Sequence, residues 1–209
     1  MTPSWDALSR ELTPGHVTVV IPAHTPRVQT YLHAAIDSVL QQRHTPDTII
    51  VEIDRDHRGA AETRNRGLSK VTTEWVAFLD SDDRMGPDHL ALLMDAARER
   101  PEISLWYPWF TVENGFDPFP QYEGAPFDPA VLDRANMVPV TVLARTSTVR
   151  AAGGFQPLGP PDNPCDDWGC WRAMLNDGAR FSHLNRRTWT WRWHRGETDW
   201  NTSGRGDAW

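Results

Sequence analysis

The sequence predicts an α/β fold: a single domain in which helices cover both faces of a mostly parallel central sheet. Three short apolar runs in the first half of the chain are typical of buried strands, and a segment of helical spacing or composition follows each of them. The chain of 209 residues is long enough for one such domain and too short for two ordinary ones. Ligands bind sheets of this kind beyond the carboxyl ends of the strands.

The first half of the chain contains three predicted pairs of a strand and a helix. The strands are 17–21, 48–53 and 75–79. The helices are 28–40, 60–68 and 87–97. The third strand is apolar at every position, as expected for a strand that is covered on both sides. The first helix has an apolar stripe at three- and four-residue spacing, and the third has a proline in its first turn.

The second half of the chain is predicted to be less regular. Five prolines in the segment 106–133 argue against strands or helices there, so this segment is expected to run over the surface. A strand at 138–143 should follow it. The remaining elements are expected to be a helix that begins near Asp166, a strand near Phe181 and a last strand at 188–193.

Composition limits the classes of partner. The formal net charge of −7 disfavours bulk binding to nucleic acid, because a phosphate backbone would repel the chain at long range. No run approaches 18 uninterrupted apolar residues, and the first 16 residues include charged side chains, so we expect a cytoplasmic protein without a transmembrane segment. The two cysteines, Cys165 and Cys170, are expected to be reduced structural thiols. The last fifth of the chain is rich in tryptophan, whose rings suit either carbohydrate stacking or a core.

Three carboxylates crowd the turn after the third strand, in the sequence Asp80-Ser81-Asp82-Asp83. Like charges at this spacing repel one another, and such clusters usually hold a cation. A divalent metal at this place would bridge to a diphosphate and neutralise the charge on a leaving group. The alternative is a solvated acidic turn that caps the following helix.

Several motifs stand in an order that resembles a known family. They are the strand that ends at Pro22, the helix 35–42, Asp54, the segment 63–67, Asp80-Ser81-Asp82, the loop 153–155 and Asp166-Asp167-Trp168. In this order they resemble the glycosyltransferases of the GT-A fold, specifically the large inverting family 2, over about 17–196. The match has one clear departure, because Arg55-Asp56-His57 follows the second strand where the family usually has Asp-Gly-Ser.

The resemblance implies transfer of a sugar from a nucleotide-diphosphate sugar, with Mn²⁺ or Mg²⁺ as cofactor. It implies a nucleotide-binding half at about 16–100, an acceptor-binding half at about 101–196 and a tail at 197–209. Donor-binding residues would be Pro22, Ala23, His24, Asp54, Arg64, Asp80, Ser81 and Asp82. Acceptor-binding residues would be Asn136, Gly154, Asp166 and Trp168. Metal ligands would be Asp80, Asp82 and His194.

The resemblance also implies that Asp167 is the catalytic base of a single displacement. A position at the start of a helix favours its ionised form, which can accept a proton. The alternative is that Asp166 or Asp167 is only an N-cap. Two further assignments stay open. Trp168 would line the acceptor pocket or anchor its helix. His194 would bind the metal, contact a phosphate or lie on the surface, and the neighbouring Arg192 and Arg195 are candidate phosphate contacts.

Other functions remain to be separated from sugar transfer. A sugar-phosphate nucleotidyltransferase would place a Gly-rich phosphate loop after the first strand, where this chain has 22–26 as Pro-Ala-His-Thr-Pro. An aspartate-dependent phosphohydrolase would need a lysine downstream of its Asp-x-Asp, whereas Lys70 lies upstream. A non-catalytic protein that binds carbohydrate or nucleotide would not need Asp167. The acceptor is open and could be a glycan, a lipid carrier, a protein or a modified base.

Overall fold

The computed structural model describes residues 13–24, 30–113, 124–156, 158 and 165–193. Its strands are β1 (Thr13–His24), β2 (Thr48–Asp54), β3 (Thr73–Phe78), β4 (Arg84–Met85), β5 (Leu105–Glu113), β6 (Leu143–Arg145) and β7 (Phe181–Arg192). Its helices are α1 (Leu32–Leu40), α2 (Ala60–Lys70), α3 (His89–Glu99), α4 (Pro129–Leu132), α5 (Thr146–Ala151) and α6 (Asp166–Asn176). None of the helices in these ranges is long and apolar enough to cross a bilayer.

The described strands form one mixed sheet in the order β2-β1-β3-β6-β5-β7-β4. β1 pairs in parallel with β2 and β3, and β5 pairs in parallel with β7. The short strands β4 and β6 pair antiparallel with their neighbours. Five of the seven strands therefore run in one direction, and their carboxyl ends meet at one edge of the sheet. This edge is where the mostly parallel sheet predicted from the sequence should bind its ligands.

Helices cover both faces of the sheet, as predicted. Alternate residues of β1 point to opposite sides: Val19 and Ile21 pack with α1 and α3, while Val20 packs with α2, α5 and α6. The side chains on both faces are almost fully buried. Because β1 and β3 lie inside the sheet, residues that follow them in the chain are held by a rigid scaffold.

The three pairs of strand and helix predicted in the first half are confirmed. The first helix begins at Leu32, and Val28 of the predicted range lies outside the described residues. The strand and the helix of each pair are joined as expected for crossover connections between parallel strands. The proposed division into two functional halves stays a prediction.

The prediction that 106–133 is irregular is wrong for its first part, because β5 extends to Glu113. Pro108 cannot donate to a neighbouring strand, but the register between β5 and β7 shifts directly after it, and such an irregularity accommodates a proline. The two strands predicted near Phe181 and at 188–193 are one long strand, β7.

The strand predicted at 138–143 is also wrong, because pairing begins only at Leu143. Val138 and Val142 are apolar since they pack in the core beneath the sheet, and not because they belong to a strand. An apolar run of this length has the same composition in either case.

His89, at the start of α3, should make the protein sensitive to acid. Its side chain is fully buried, its Nδ1 contacts Thr188 Oγ1 at 2.7 Å, and its Nε2 has no hydrogen-bond partner within the described ranges. Burial lowers the pKa of His89 to about 3. The unfolded chain binds a proton there near pH 6.5, so the contribution of this group to stability is complete above that pH. It is lost as the pH falls towards 3, by up to about 1.4 kcal/mol per pH unit.

The change His89→Gln tests this expectation. The variant should be less stable than the wild type at pH 7, where the contact with Thr188 is weakened, but its free energy of unfolding should fall less between pH 6.5 and 4. Urea unfolding at a series of pH values measures this slope. His33→Gln is the matched control because His33 is exposed on α1, and its slope should equal that of the wild type. Equal slopes for His89→Gln and the wild type would contradict the prediction.

Candidate active site

The turn after β3 carries the acidic cluster at the carboxyl edge of the sheet. The backbone N–H of Asp83 donates to the carbonyl oxygen of Asp80 at 3.0 Å, which closes the turn. Ser81, Asp82 and Asp83 are buried, and only the side chain of Asp80 is substantially exposed, at 32%. The alternative of a solvated acidic turn is therefore wrong. The turn does not cap α3 either, because the N-cap of that helix is Asp88.

The last strand of the sheet fastens this turn. The backbone N–H of Arg192 donates to Asp83 Oδ1 at 2.8 Å, and Nε of Arg192 donates to the carbonyl oxygen of Asp82 at 3.0 Å. Nη2 of the same arginine pairs with Glu113 at 2.9 Å, and its guanidinium lies 4.8 Å from the centre of the Tyr31 ring. Asp83 thus holds the turn in place, while Asp80 and Asp82 are the metal ligands that the sequence predicts.

These two carboxylates fit a divalent cation that arrives with a diphosphate. Within the described residues, no three His, Cys, Asp or Glu side chains are grouped as a metal site. His194 lies outside the described residues, so its predicted role as a ligand cannot be placed in this geometry. Mg²⁺ and similar hard cations are commonly held by one or two carboxylates together with substrate phosphates. Asp80 and Asp82, two positions apart on one turn at the carboxyl edge of the sheet, have the chemistry of that donor set.

Arg64 of α2 joins the acidic turn to the start of α6. Its Nη2 donates to Asp80 Oδ1 at 2.7 Å, and its Nη1 donates to Asp166 Oδ2 at 2.6 Å. The side chains of Arg64 and Asp166 are only 7% and 6% exposed. The two acidic motifs predicted from the sequence are therefore brought together by one buried guanidinium.

Asn65, the neighbour of Arg64, connects α2 to the loop before α6. Its side-chain amide donates to the carbonyl oxygen of Phe155 at 2.8 Å and accepts from the N–H of Phe155 at 2.9 Å. Gly154 precedes this residue with a φ of 72°, a left-handed conformation that suits glycine. The Arg-Asn pair of the sequence motif therefore fixes the loop 153–155 as well as the acidic turn.

The catalytic candidate Asp167 is the second residue of α6 and is partly buried. Its Oδ2 accepts a hydrogen bond from Asn136 at 3.0 Å, and its Oδ1 accepts from the backbone N–H of Trp168 at 2.8 Å. The N-cap of α6 is Cys165, with no side-chain capping bond. The alternative that Asp166 or Asp167 is only an N-cap is therefore wrong.

Asp167 binds its proton more tightly than an ordinary aspartate. Burial raises its pKa to about 6, and the neighbouring charge of Asp166 acts in the same direction. Arg64 and the hydrogen bonds from Trp168 and Asn136 lower it by less. The sequence-based expectation that the helix start keeps this pKa low is thus corrected, because desolvation outweighs it. A base with a pKa near the working pH can both accept and release a proton.

Trp168 anchors α6 to the rest of the fold. Its Nε1 donates to the carbonyl oxygen of Leu132 at 2.6 Å, and the guanidinium of Arg172 lies 5.8 Å from its ring centre. This contact supports the anchoring alternative for Trp168. Its ring is still partly exposed, so a role in the acceptor pocket stays a prediction, as does that of Gly154.

The other predicted donor residues lie at the carboxyl ends of β1 and β2. Pro22 and Ala23 are buried, while His24 is exposed and lies 6.0 Å from His57, ring centre to ring centre. Asp54 is buried, and its carboxylate accepts hydrogen bonds from the backbone N–H groups of Arg58 and Gly59 at 2.9 and 2.8 Å. Asp54 therefore shapes the loop between β2 and α2, and its contact with a nucleotide base stays a prediction.

Sequence reasoning missed one residue of this region. Glu113, which pairs with both Arg192 and Arg84, was missed because its segment was predicted to be irregular. Recognition of β5 as a strand would have placed it at the carboxyl edge. Arg145, by contrast, lies at the opposite edge of the sheet, where it pairs with Glu74 and stacks on Trp75.

Comparison with known proteins agrees with this geometry. The sequence pattern described as Glycosyl transferase family 2 matches residues 52–137, a range that includes Arg64 and the acidic turn. Over this range the chain is similar to that family, and its fold is GT-A-like.

Two individual relatives match part of this chain. The pre-mycofactocin glycosyltransferases of two Mycobacterium tuberculosis strains, CDC 1551 / Oshkosh and ATCC 25618 / H37Rv, are 30% identical in an alignment of 139 residues that covers 60% of this chain. The chain spans only 28% of the length of these relatives.

Among solved structures, S. aureus TarS 1–349 in complex with UDP-GlcNAc matches 88% of this chain and 60% of its own, with a TM-score of 0.66 and 19% identity. The complex of the same protein with UDP matches with a TM-score of 0.64 and 18% identity, over 85% of this chain and 60% of its own. At this level of identity the likeness shows the shared fold.

Proposed function

We propose that this chain transfers a sugar from a nucleotide-diphosphate sugar to an acceptor by an inverting single displacement. The acceptor oxygen forms a bond to the anomeric carbon as the bond from that carbon to the diphosphate oxygen breaks. Asp167 takes the proton of the acceptor hydroxyl, and the nucleoside diphosphate leaves with the electron pair of the broken bond. The observation that carries this proposal is the link through Arg64, which places the acidic turn and the start of α6 at one site.

The two acidic motifs have different tasks in this reaction. Asp80 and Asp82 would hold Mn²⁺ or Mg²⁺, which supplies positive charge to the diphosphate as negative charge grows on it. Asp167 acts on the acceptor. Its hydrogen bonds with Asn136 and Trp168 orient the carboxylate, and its pKa near 6 leaves it ionised at neutral pH. Pro22, Ala23, His24, Asp54 and Ser81 would complete the donor site.

A uridine diphosphate sugar is the proposed donor. The support is the fold shared with a TarS structure that is described as a complex with UDP-GlcNAc. The acceptor is proposed only as a hydroxyl-bearing group of a glycan, lipid carrier, protein or modified base, bound near Asn136, Gly154, Asp166 and Trp168. A cytoplasmic location is part of the proposal, since cytoplasm supplies nucleotide sugars to such enzymes.

Release of nucleoside diphosphate tests this function without knowledge of the acceptor. The purified protein is incubated with UDP-GlcNAc, other UDP-sugars, GDP-sugars and dTDP-sugars, with Mn²⁺, with Mg²⁺ or with EDTA. We expect slow release of the diphosphate from at least one donor, in the presence of metal only, and, once an acceptor is supplied, a glycoside of inverted anomeric configuration by NMR. Binding of a donor without any release would instead identify a non-catalytic binding protein. Release of a nucleoside triphosphate on addition of pyrophosphate would identify a nucleotidyltransferase.

A further inference from the structure

Arg64 connects two segments that are far apart in the chain. Asp80 is 16 residues away from it and Asp166 is 102 residues away, yet each accepts a hydrogen bond from a different nitrogen of the same guanidinium. The planar fork of arginine can hold two carboxylates in fixed directions, which the single ammonium of lysine cannot do. Arg64 therefore fixes two parts of the site relative to each other. One is the acidic turn 80–83, which is the donor turn of the proposed reaction, and the other is helix α6, which carries the proposed base Asp167.

The guanidinium is itself held in place. Thr63, Arg64 and Asn65 are buried, and Asn65 makes two hydrogen bonds with Phe155. The ring of Phe155 lies 5.4 Å from the guanidinium carbon. A side chain fixed in this way before the substrate binds keeps its contacts without a further entropic cost.

The charges around Arg64 are not balanced. Two carboxylates, Asp80 and Asp166, share one cation, so this cluster carries a net charge of −1 when both are ionised. A divalent cation that binds Asp80 would compete with Arg64 for that carboxylate and strengthen the hold of Arg64 on Asp166. Binding of a cation at the donor turn would thus change the contact between Arg64 and Asp166, the residue next to Asp167.

We propose that Arg64 is a positioning residue that couples the donor turn to the catalytic base, by holding Asp80 with one nitrogen and, through Asp166, the start of α6 with another. This inference rests on the proposed function and adds a connection between its two parts. It predicts that loss of the arginine fork impairs turnover more than it impairs donor binding.

The charged groups near Asp167 decide how this coupling appears in a pH profile. Asp166 precedes it on α6, and Arg64 faces it from α2. Burial and the charges of Asp166 and Asp167 raise the pKa values of the Cys165 and Cys170 thiols, so both stay neutral near pH 7. Further along α6, Arg172 pairs with Asp133 at 2.7 Å. Removal of the positive charge of Arg64 should therefore move the acid limb of the rate profile to higher pH.

Arg64→Gln and Arg64→Lys test the coupling, with Arg145→Lys as the matched control. Arg145 also joins two elements, since it pairs with Glu74 and donates to the carbonyl oxygen of Pro101 at 2.8 Å, but it does so at the opposite edge. Rates of UDP release from UDP-GlcNAc, or from the donor of the panel that is released fastest, are measured with Mn²⁺ from pH 5 to 9. Binding of UDP with Mn²⁺ is measured by calorimetry.

We expect Arg64→Gln to lower kcat about 100-fold, as a small misplacement of a catalytic group does, and to raise the pH of the acid limb by about one unit. Binding of UDP with Mn²⁺ should change less than about threefold, which corresponds to less than about half a pKd unit. Arg64→Lys, which keeps the charge, should lower kcat and leave the acid limb closer to that of the wild type. Arg145→Lys should change neither.

The outcomes separate this inference from the proposed function. A higher KM and weaker UDP binding, with unchanged kcat and acid limb, would make Arg64 a donor contact only and overturn the coupling, while sugar transfer would stand. If the wild type released no diphosphate from any nucleotide sugar, the proposed function itself would fail. If Arg64→Gln does not fold, a double-mutant cycle of Arg64→Lys and Asp166→Asn tests the coupling instead. Coupled residues give a double variant little worse than either single one, and additive losses would contradict the coupling.

Discussion

The change Asp167→Asn should reduce sugar transfer by about 1000-fold, since a positioned general base contributes roughly 10² to 10⁴ to a rate. Asparagine has nearly the shape of aspartate, and its single side-chain oxygen can accept one of the two hydrogen bonds that Asn136 and the backbone N–H of Trp168 donate to Asp167. It cannot take a proton from the acceptor. We therefore expect binding of UDP with Mn²⁺ to stay within about threefold of the wild type, because the loss concerns the chemical step alone.

Rates of UDP release and calorimetric binding measure the two effects separately. Asp133→Asn is the matched control. Asp133 pairs at 2.7 Å with Arg172, which lies on α6 like Asp167, and its side chain is 68% exposed. It should keep the rate of the wild type. The wild type itself should lose activity below about pH 6 as Asp167 takes up a proton, given that burial raises its pKa to about 6. Full activity of Asp167→Asn would show that another group is the base.

The position of the donor turn could be predicted from the sequence, because it depends on local pattern. An apolar strand followed directly by Asp80 and Asp82 places these residues at the carboxyl edge of a sheet, whatever the rest of the fold. The position of Asp167 could be predicted as well, because local pattern places it at the start of a helix. The link through Arg64 could not be predicted in this way, since it depends on which residues 16 and 102 positions away meet in space.

The errors came from patterns that have more than one physical cause. Prolines argued against a strand at β5, but a shift in register next to Pro108 makes the strand possible. Val138 and Val142 argued for a strand from 138, but they pack in the core ahead of the strand, which begins at Leu143. The helix start at Asp167 argued for a low pKa, yet the sequence does not reveal how much water the carboxylate loses on folding. Burial is a tertiary property, and it decided this pKa.

The change Asp82→Asn should abolish the metal dependence of donor binding. A neutral amide is a poorer ligand for a hard divalent cation than a carboxylate, and the loss of one charged ligand removes several kcal/mol of attraction. We expect binding of UDP in the presence of Mn²⁺ to weaken about 100-fold, which is about 2.8 kcal/mol. Binding of UDP with EDTA should be unchanged, and transfer should fall together with binding. Calorimetric titrations of UDP with and without Mn²⁺ measure both terms.

Asp83→Asn is the matched control for this prediction, because it removes the next carboxylate in the chain and keeps the turn. The backbone N–H of Arg192 donates to Asp83 Oδ1 at 2.8 Å, and an asparagine oxygen can accept the same bond. Metal-dependent binding should therefore survive in Asp83→Asn and disappear in Asp82→Asn. If both variants bound UDP and Mn²⁺ like the wild type, the acidic turn would not hold the cation. A loss in both would mean that negative charge on the turn matters more than the identity of the ligand, since the two changes remove equal charge from adjacent positions.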